Sequence, residues 1–437
     1  MRRIDWRAAS AAERTAALAR PGRGRDRVVA ERVAAIFADV QARGEAAVRD
    51  WALRLDGAEP REAQITDAAV AAARSEVSAA DAEALAFAAT AIRRFHEADR
   101  PVDGAVVETV PGSRSRRVWR PLESAGLYVP GGTAPLFSSL LMQGIPAAVA
   151  GVARRVAVTP PARDGSVHPM MVLAAREAGL ESLWLVGGAH AVAALALGAG
   201  LPRVDKIFGP GNAYVAEAKR FAAELPNGPA VDLPAGPSEL LVIADSAADP
   251  TLVAIDLLSQ AEHDADAQVL LVTTDTGILE RVQAEVERLL ARLPRAEIAR
   301  RSLAAARAVV CSDLEEAIRI ADAYAPEHLS LQVRSPERWA ERVRHAGAVF
   351  VGEQAAETLG DYVAGPSHVL PTDGAARTFS GISTASFMKS FAVQSVDAEA
   401  VPALAEAAAR LARLEGLEAH ALAADLRLER VRARGAA

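Results

Sequence analysis

The chain has 437 residues, 51% of them hydrophobic and 24% charged, which is ordinary for a soluble globular protein with more than one core. Its net charge of -7 argues against a general affinity for nucleic acid or anionic membranes, both of which call for a basic surface, so small molecules are the expected partners. No apolar run reaches membrane-spanning length, the N-terminus lacks the apolar stretch of a secretory signal, and the single cysteine, Cys311, excludes an internal disulfide, so a cytoplasmic setting is expected.

Residues 1 to about 24 read as a short helical arm with apolar spots at Trp6, Ala17 and Leu18, ending at Pro21-Gly22. From Arg27 to His96 the pattern is helical and Ala-rich with charged faces, followed by short Val-rich pieces near 106–110 and 115–120. The chain then alternates. Strands are expected near 156–159, 183–186 and 206–208, and helices near 169–178, 190–197 and 212–225. A second alternating run carries strands near 240–244, 269–273 and 348–351, with one helix carrying Gln260 and His263 and another over 314–324. Such alternation gives parallel sheets with helices on both faces, an α/β fold. From Val393 onward the chain reads as almost wholly helical. The change of pattern suggests a helical arm over 1–24, one discontinuous α/β domain from 25–127 and 240–380, a second over 128–239, and a C-terminal helical arm over 381–437.

Asp249-Pro250 is a strong helix start, and Gln260 and His263 stand three apart near the end of the helix that follows, on one face. An amide oxygen and an imidazole side by side could hold a borderline metal such as zinc, or could be a hydrogen-bonded core pair. Two glycine turns, YVPGG from Tyr128 and FGPGN ending at Asn212, allow close approach of a ligand, although neither is a dinucleotide fingerprint. A third turn, PAGPSEL, places the Ser238 hydroxyl at a sheet edge. Glu327 and His328 put the two commonest acid–base groups in one turn, where they are either a catalytic pair or solvated surface. Asp361 and His368 flank the loop GDYVAGPSH, and Glu415 and His420 bracket a helix stop at Gly416. His96, His168 and His345 receive no role, and Cys311 reads as a core thiol.

Taken together, GLYVPGGTAPLFSSLLM, KIFGPGNAYVAEAKR, VDLPAGPSELLVIAD, DLLSQAEHDADAQVLL, YAPEHLSL, GDYVAGPSHVLPT and EGLEAHA resemble the histidinol dehydrogenase family, in order and spacing over nearly the whole chain. The resemblance implies two incomplete Rossmann-like domains, the one over 128–239 binding NAD, in an intertwined homodimer. It implies one zinc per subunit on Gln260, His263, Asp361 and His420, with His420 reaching the site of the partner subunit. Glu327 and His328 take the acid–base roles; Ser238, His368 and Glu415 line the substrate pocket together with His328 and the zinc ligands. Tyr128 and Asn212 match NAD contacts, and the third is His190 in GGAHA where the family usually has glutamine, so NAD affinity is expected to shift. The implied reaction oxidises L-histidinol through the aldehyde to L-histidine, reducing two NAD. Rival readings are a dehydrogenase acting on a sulfonated diol, a zinc hydrolase using Glu327 as base, and a metal-binding protein without catalysis.

Overall fold

The computed structural model describes residues 1–20, 26–131, 136–162, 164–234 and 236–435. The expected end of the N-terminal arm at Pro21-Gly22 and part of the YVPGGTA turn lie outside them. The chain divides into two units, Met1–Asp99 with Leu122–Phe387, and Arg100–Pro121 with Met388–Ala437.

The larger unit contains two six-stranded sheets. In the first, the strands Arg2–Asp5, Arg307–Val310, Gln268–Thr273, Glu239–Ala244, His328–Gln332 and Ala348–Val351 lie side by side, all parallel. Its central strands, ELLVIA and QVLLVT, are buried at every position, as parallel strands covered on both faces must be. Alternation divides their side chains between two cores. Leu240, Val242, Val269 and Leu271 join one with the helix Pro250–Ala261, whereas Leu241, Ile243, Leu270 and Val272 join another with the helix Leu314–Tyr324.

The second sheet runs Arg61–Gln64, Ser182–Leu185, Arg154–Thr159, Ser124–Tyr128, Lys206–Phe208 and Ala230–Val231, parallel except for its first strand. Sequential strands leave Ser124–Tyr128 in both directions, so the order reverses there. The expected strands and helices of both alternating runs are found within a few residues of their predicted bounds.

Three expectations differ from the packing. The strand Arg61–Gln64 pairs with Ser182–Leu185, and the helix Arg27–Arg43 buries Val33, Ile36 and Phe37 in one core with the helix Gly188–Leu197. The strand Arg61–Gln64 and the helix Arg27–Arg43, which the domain division grouped with 240–380, thus pack against elements of 124–231, while the helix Ala79–Ala98 also meets Gly365 through Ala91 and Phe95. An amphipathic helix carries a buried face in its sequence but not the address of the surface that covers it. The N-terminal arm is not helical throughout, because Arg2–Asp5 is an edge strand added to the first sheet before the helix Ala11–Leu18. The tail also departs from the all-helical reading. Met388–Val396 is a strand, antiparallel to Ser113–Pro121 in the smaller unit, before the helices Val401–Leu414 and Glu418–Gly435.

Candidate active site

A cleft of about 530 Å³ in the larger unit opens between the amino ends of the first sheet and the carboxyl ends of the second. The second sheet contributes Tyr128, at the end of its reversal strand, and the turn Gly209 to Asn212, where open parallel sheets generally bind ligands. This turn is tightly drawn. Gly209 has φ +115°, and a Cβ there would lie 2.0 Å from the Tyr128 carbonyl oxygen, so only glycine fits. The Gly209 N–H donates to Asp232 Oδ2 at 2.7 Å, its carbonyl accepts from Lys219 Nζ at 2.8 Å, and Lys219 and Asp232 form a buried ion pair. Asn212 caps the helix Ala213–Glu224, its Oδ1 accepting from Tyr214 and Val215 N–H, and lines the cleft with an exposed side chain.

The first sheet contributes Ser238, Glu327 and His328. Register pairs Leu240 with His328, which brings the starts of two adjacent strands together. Glu327 and His328 are only 6% and 4% exposed, so they are a buried pair and not solvated surface. The backbone of Glu239 holds both. Its N–H donates to Glu327 Oε2 at 2.8 Å, and its carbonyl accepts from His328 Nδ1 at 3.0 Å. That fixes the proton on Nδ1. The opposite nitrogen, Nε2, has no hydrogen-bond partner and lies 3.6 Å from Asp361 Oδ1.

Burial pushes the Glu327 carboxyl up to about 7. Burial alone would lower His328, but the carboxylates of Glu327, Glu357 and Asp361 around the ring push it up to about 10. Asp361, which burial would raise, is held below the usual carboxylate range by the His328 imidazole.

Gln260 and Asp361 approach the cleft from helices, Pro250–Ala261 and Glu357–Tyr362, and His263 from the turn after the first of these. His263, Glu357 and Asp361 place one donor atom each within 4.8 Å of one another. Gln260 is fully buried, and neither its Oε1 nor its Nε2 has a hydrogen-bond partner. A buried amide without partners is unfavourable by about 1–3 kcal/mol for each unsatisfied group, so this one calls for an external ligand. An amide oxygen, an imidazole and a carboxylate suit zinc, and the residues therefore fit the metal. His368 is set by Nδ1–H donation to the Asp361 carbonyl at 2.8 Å and by the Ser139 hydroxyl on Nε2 at 3.2 Å.

The cleft thus gathers Tyr128, Asn212, Ser238, Gln260, His263, Glu327, His328, Asp361 and His368. His190 is not among its lining residues. It is fully buried, with Nε2 2.9 Å from Asp56 Oδ2, and that same oxygen accepts from Gly187 N–H. Glu415 and His420 belong to the smaller unit, where both are exposed. Two contributors were missed in the sequence. Glu357 precedes Asp361 by four residues, and that helical spacing would have revealed the shared face. Glu239 acts through its backbone, which no residue-type signal reports.

Fold and cleft define a two-sheet α/β protein with a buried glutamate–histidine pair beside an amide, an imidazole and two carboxylates. The profile of the histidinol dehydrogenase family matches residues 19–428. Histidinol dehydrogenases of Xanthomonas euvesicatoria and Xylella fastidiosa are 46% and 45% identical over 98% of this chain and 99% of their own. The crystal structure of histidinol dehydrogenase from Elizabethkingia anophelis superposes with a TM-score of 0.94 at 37% identity, covering 99% of each chain. The chain belongs to the histidinol dehydrogenase family, oxidoreductases of histidine biosynthesis.

Proposed function

We propose that the protein is a zinc-dependent L-histidinol dehydrogenase that carries out two successive NAD-dependent oxidations, alcohol to aldehyde to carboxylate, in the cytoplasm. The observation that carries this reading is the partnerless Gln260 amide beside His263 and Asp361, facing the Glu327–His328 pair across one cleft. Gln260, His263 and Asp361 would hold zinc, with His420 of a second copy completing the set. When bound, zinc supplies a template that grips the imidazole and amino nitrogens of the substrate.

His328 accepts the substrate hydroxyl proton on Nε2 in the first oxidation, since Nδ1 is committed to the Glu239 carbonyl. Asp361 is one of the carboxylates that raise His328, and a metal held by Asp361 would offset that charge and favour the neutral imidazole, whose Nε2 can take the proton. Glu327, poised near neutrality by burial, then takes a proton from the water that attacks the aldehyde. NAD, when bound, takes one hydride in each oxidation. Tyr128 and Asn212, which line the cleft at the carboxyl ends of the second sheet, would flank it there. His190 bears on the same region through the Gly187–Gly188 loop, as Gly188 N–H donates to the Tyr128 hydroxyl at 3.0 Å. Ser238, His368 and Glu415 of a second copy would shape the substrate pocket.

A homodimer is supported by the smaller unit, whose helices leave Leu411, Leu414, Leu417, Leu422 and Leu426 exposed around Glu415 and His420. Among the described residues no helix is long and apolar enough to cross a membrane, and the net charge of -7 disfavours nucleic acid.

The test is the yield of NADH per L-histidinol, with and without a chelator. Two NADH per substrate, lost on chelation and restored by zinc, are expected; none would return the sulfonated-diol and hydrolase readings. Glu327→Gln should preserve alcohol oxidation and stall at the aldehyde. Equal loss of both steps would refute the division of labour between Glu327 and His328.

A further inference from the structure

Glu239 is fully buried, and its backbone carries both hydrogen bonds that fix the Glu327–His328 pair. Its side chain is forked by Arg20, Nε to Oε1 at 2.5 Å and Nη2 to Oε2 at 2.7 Å, and Oε1 also accepts from Asp373 N–H at 3.0 Å. Arg20 also grips the helix end that leads into the other strand. Its Nη2 donates to the carbonyls of Tyr324 and Ala325 at 3.0 and 3.3 Å, and its guanidinium lies 3.9 Å from the centre of the Tyr324 ring. Those carbonyls sit immediately before Pro326 and Glu327, where Ala325 holds the left-handed φ of +54° that aims the chain into the pair. The segment bearing Arg20 is itself anchored, because Arg307 donates to the carbonyls of Ala17 and Ala19.

We propose that Arg20 is a positioning residue for the Glu327–His328 pair, clamping Glu239 at the start of one strand and the Tyr324–Ala325 carbonyls at the helix end before the other, so that the Glu239 backbone stays in register with both side chains. Arg20 therefore serves the cleft from outside its lining. A lysine cannot replace this arginine, because the site uses a planar fork on a carboxylate and a stacked face on an aromatic ring. The consequence for turnover rests on the proposed histidinol oxidation; the consequence for His328 geometry does not.

The experiment uses full-length, zinc-loaded wild type, Arg20→Met and Arg20→Lys. Displacement of a catalytic group by about 1 Å can lower a rate on the order of 100-fold, so Arg20→Met should lose roughly that much kcat with KM for L-histidinol and NAD within about threefold. Arg20→Lys should fall between it and wild type. The readout independent of turnover is the His328 Nδ1–H proton resonance in 15N-histidine-labelled protein, assigned through its loss in His328→Gln. It should be protected from exchange in the wild type and broadened in both Arg20 variants. An unchanged resonance and an unchanged kcat in folded Arg20→Met overturn the proposal. So does a loss of activity that only follows the unfolded fraction at the assay temperature. Should Arg20→Met fail to fold, Arg20→Lys decides on the same two readouts. If the wild type does not oxidise L-histidinol, the activity reading fails, and the resonance alone supports or overturns the clamp.

Discussion

Gln260→Met should make the metal-free protein more stable, the opposite of what a polar-to-apolar change at a well-bonded core position does. Gln260 is fully buried, and both polar atoms of its amide are without partners. Each buried unsatisfied donor or acceptor is unfavourable by about 1–3 kcal/mol, while methionine has nearly the same length and volume and needs no partner. Allowing for imperfect packing of the thioether, the gain should be roughly 1–3 kcal/mol. Zinc should reverse the ranking. A ligand at 100 times its Kd stabilises the folded state by about 2.7 kcal/mol, and the variant lacks the donor that would recruit it. The assay is urea unfolding of wild type and variant after exhaustive chelation, then with excess zinc. The expected midpoints have the variant higher without metal and the wild type rising more with it. A metal-free variant less stable than wild type, or an equal response of both to zinc, would refute the view that the amide is held in readiness for a metal.

Lys219→Met strands Asp232 without its buried counter-charge and frees the Gly209 carbonyl, so it should destabilise by about 3–5 kcal/mol; the double variant Lys219→Met/Asp232→Leu should recover part of this in urea melts. A single variant no worse than the double would show that the pair carries no such strain. Gly209→Ala drives a Cβ into the Tyr128 carbonyl at φ +115°, and a stability loss under about 1 kcal/mol in the same assay would mean that the turn yields freely. His96 is buried beside Thr384, and burial lowers it from 6.5 to about 4. A depressed histidine contributes stability that is fully present above its unfolded value and is lost as pH falls from about 6.5 through about 4. The shift corresponds to about 3 kcal/mol at most. His96→Leu should flatten that part of the stability–pH curve, and an unchanged acid limb would count against the assignment.

The alternation of strands and helices, the helix start at Asp249-Pro250, and the chemical character of Gln260, His263, Glu327, His328, Asp361 and His368 were all readable in the chain, because periodicity and residue type are local properties. Local pattern could not say that the strand Arg61–Gln64 joins Ser182–Leu185, or that Met388–Val396 pairs with Ser113–Pro121, since strand partners are chosen by long-range packing. The same limit hid Glu239, whose part is played by its backbone, and removed His190 from the cleft to a partnership with Asp56. Sequence by itself determined which groups could do the chemistry. Their surroundings were decided only when folding set the amino ends of one sheet beside the carboxyl ends of the other, buried Glu327 and His328 between carboxylates, and left the Gln260 amide without a hydrogen-bond partner. Desolvation and proximity belong to the assembled interior, and no residue carries them alone.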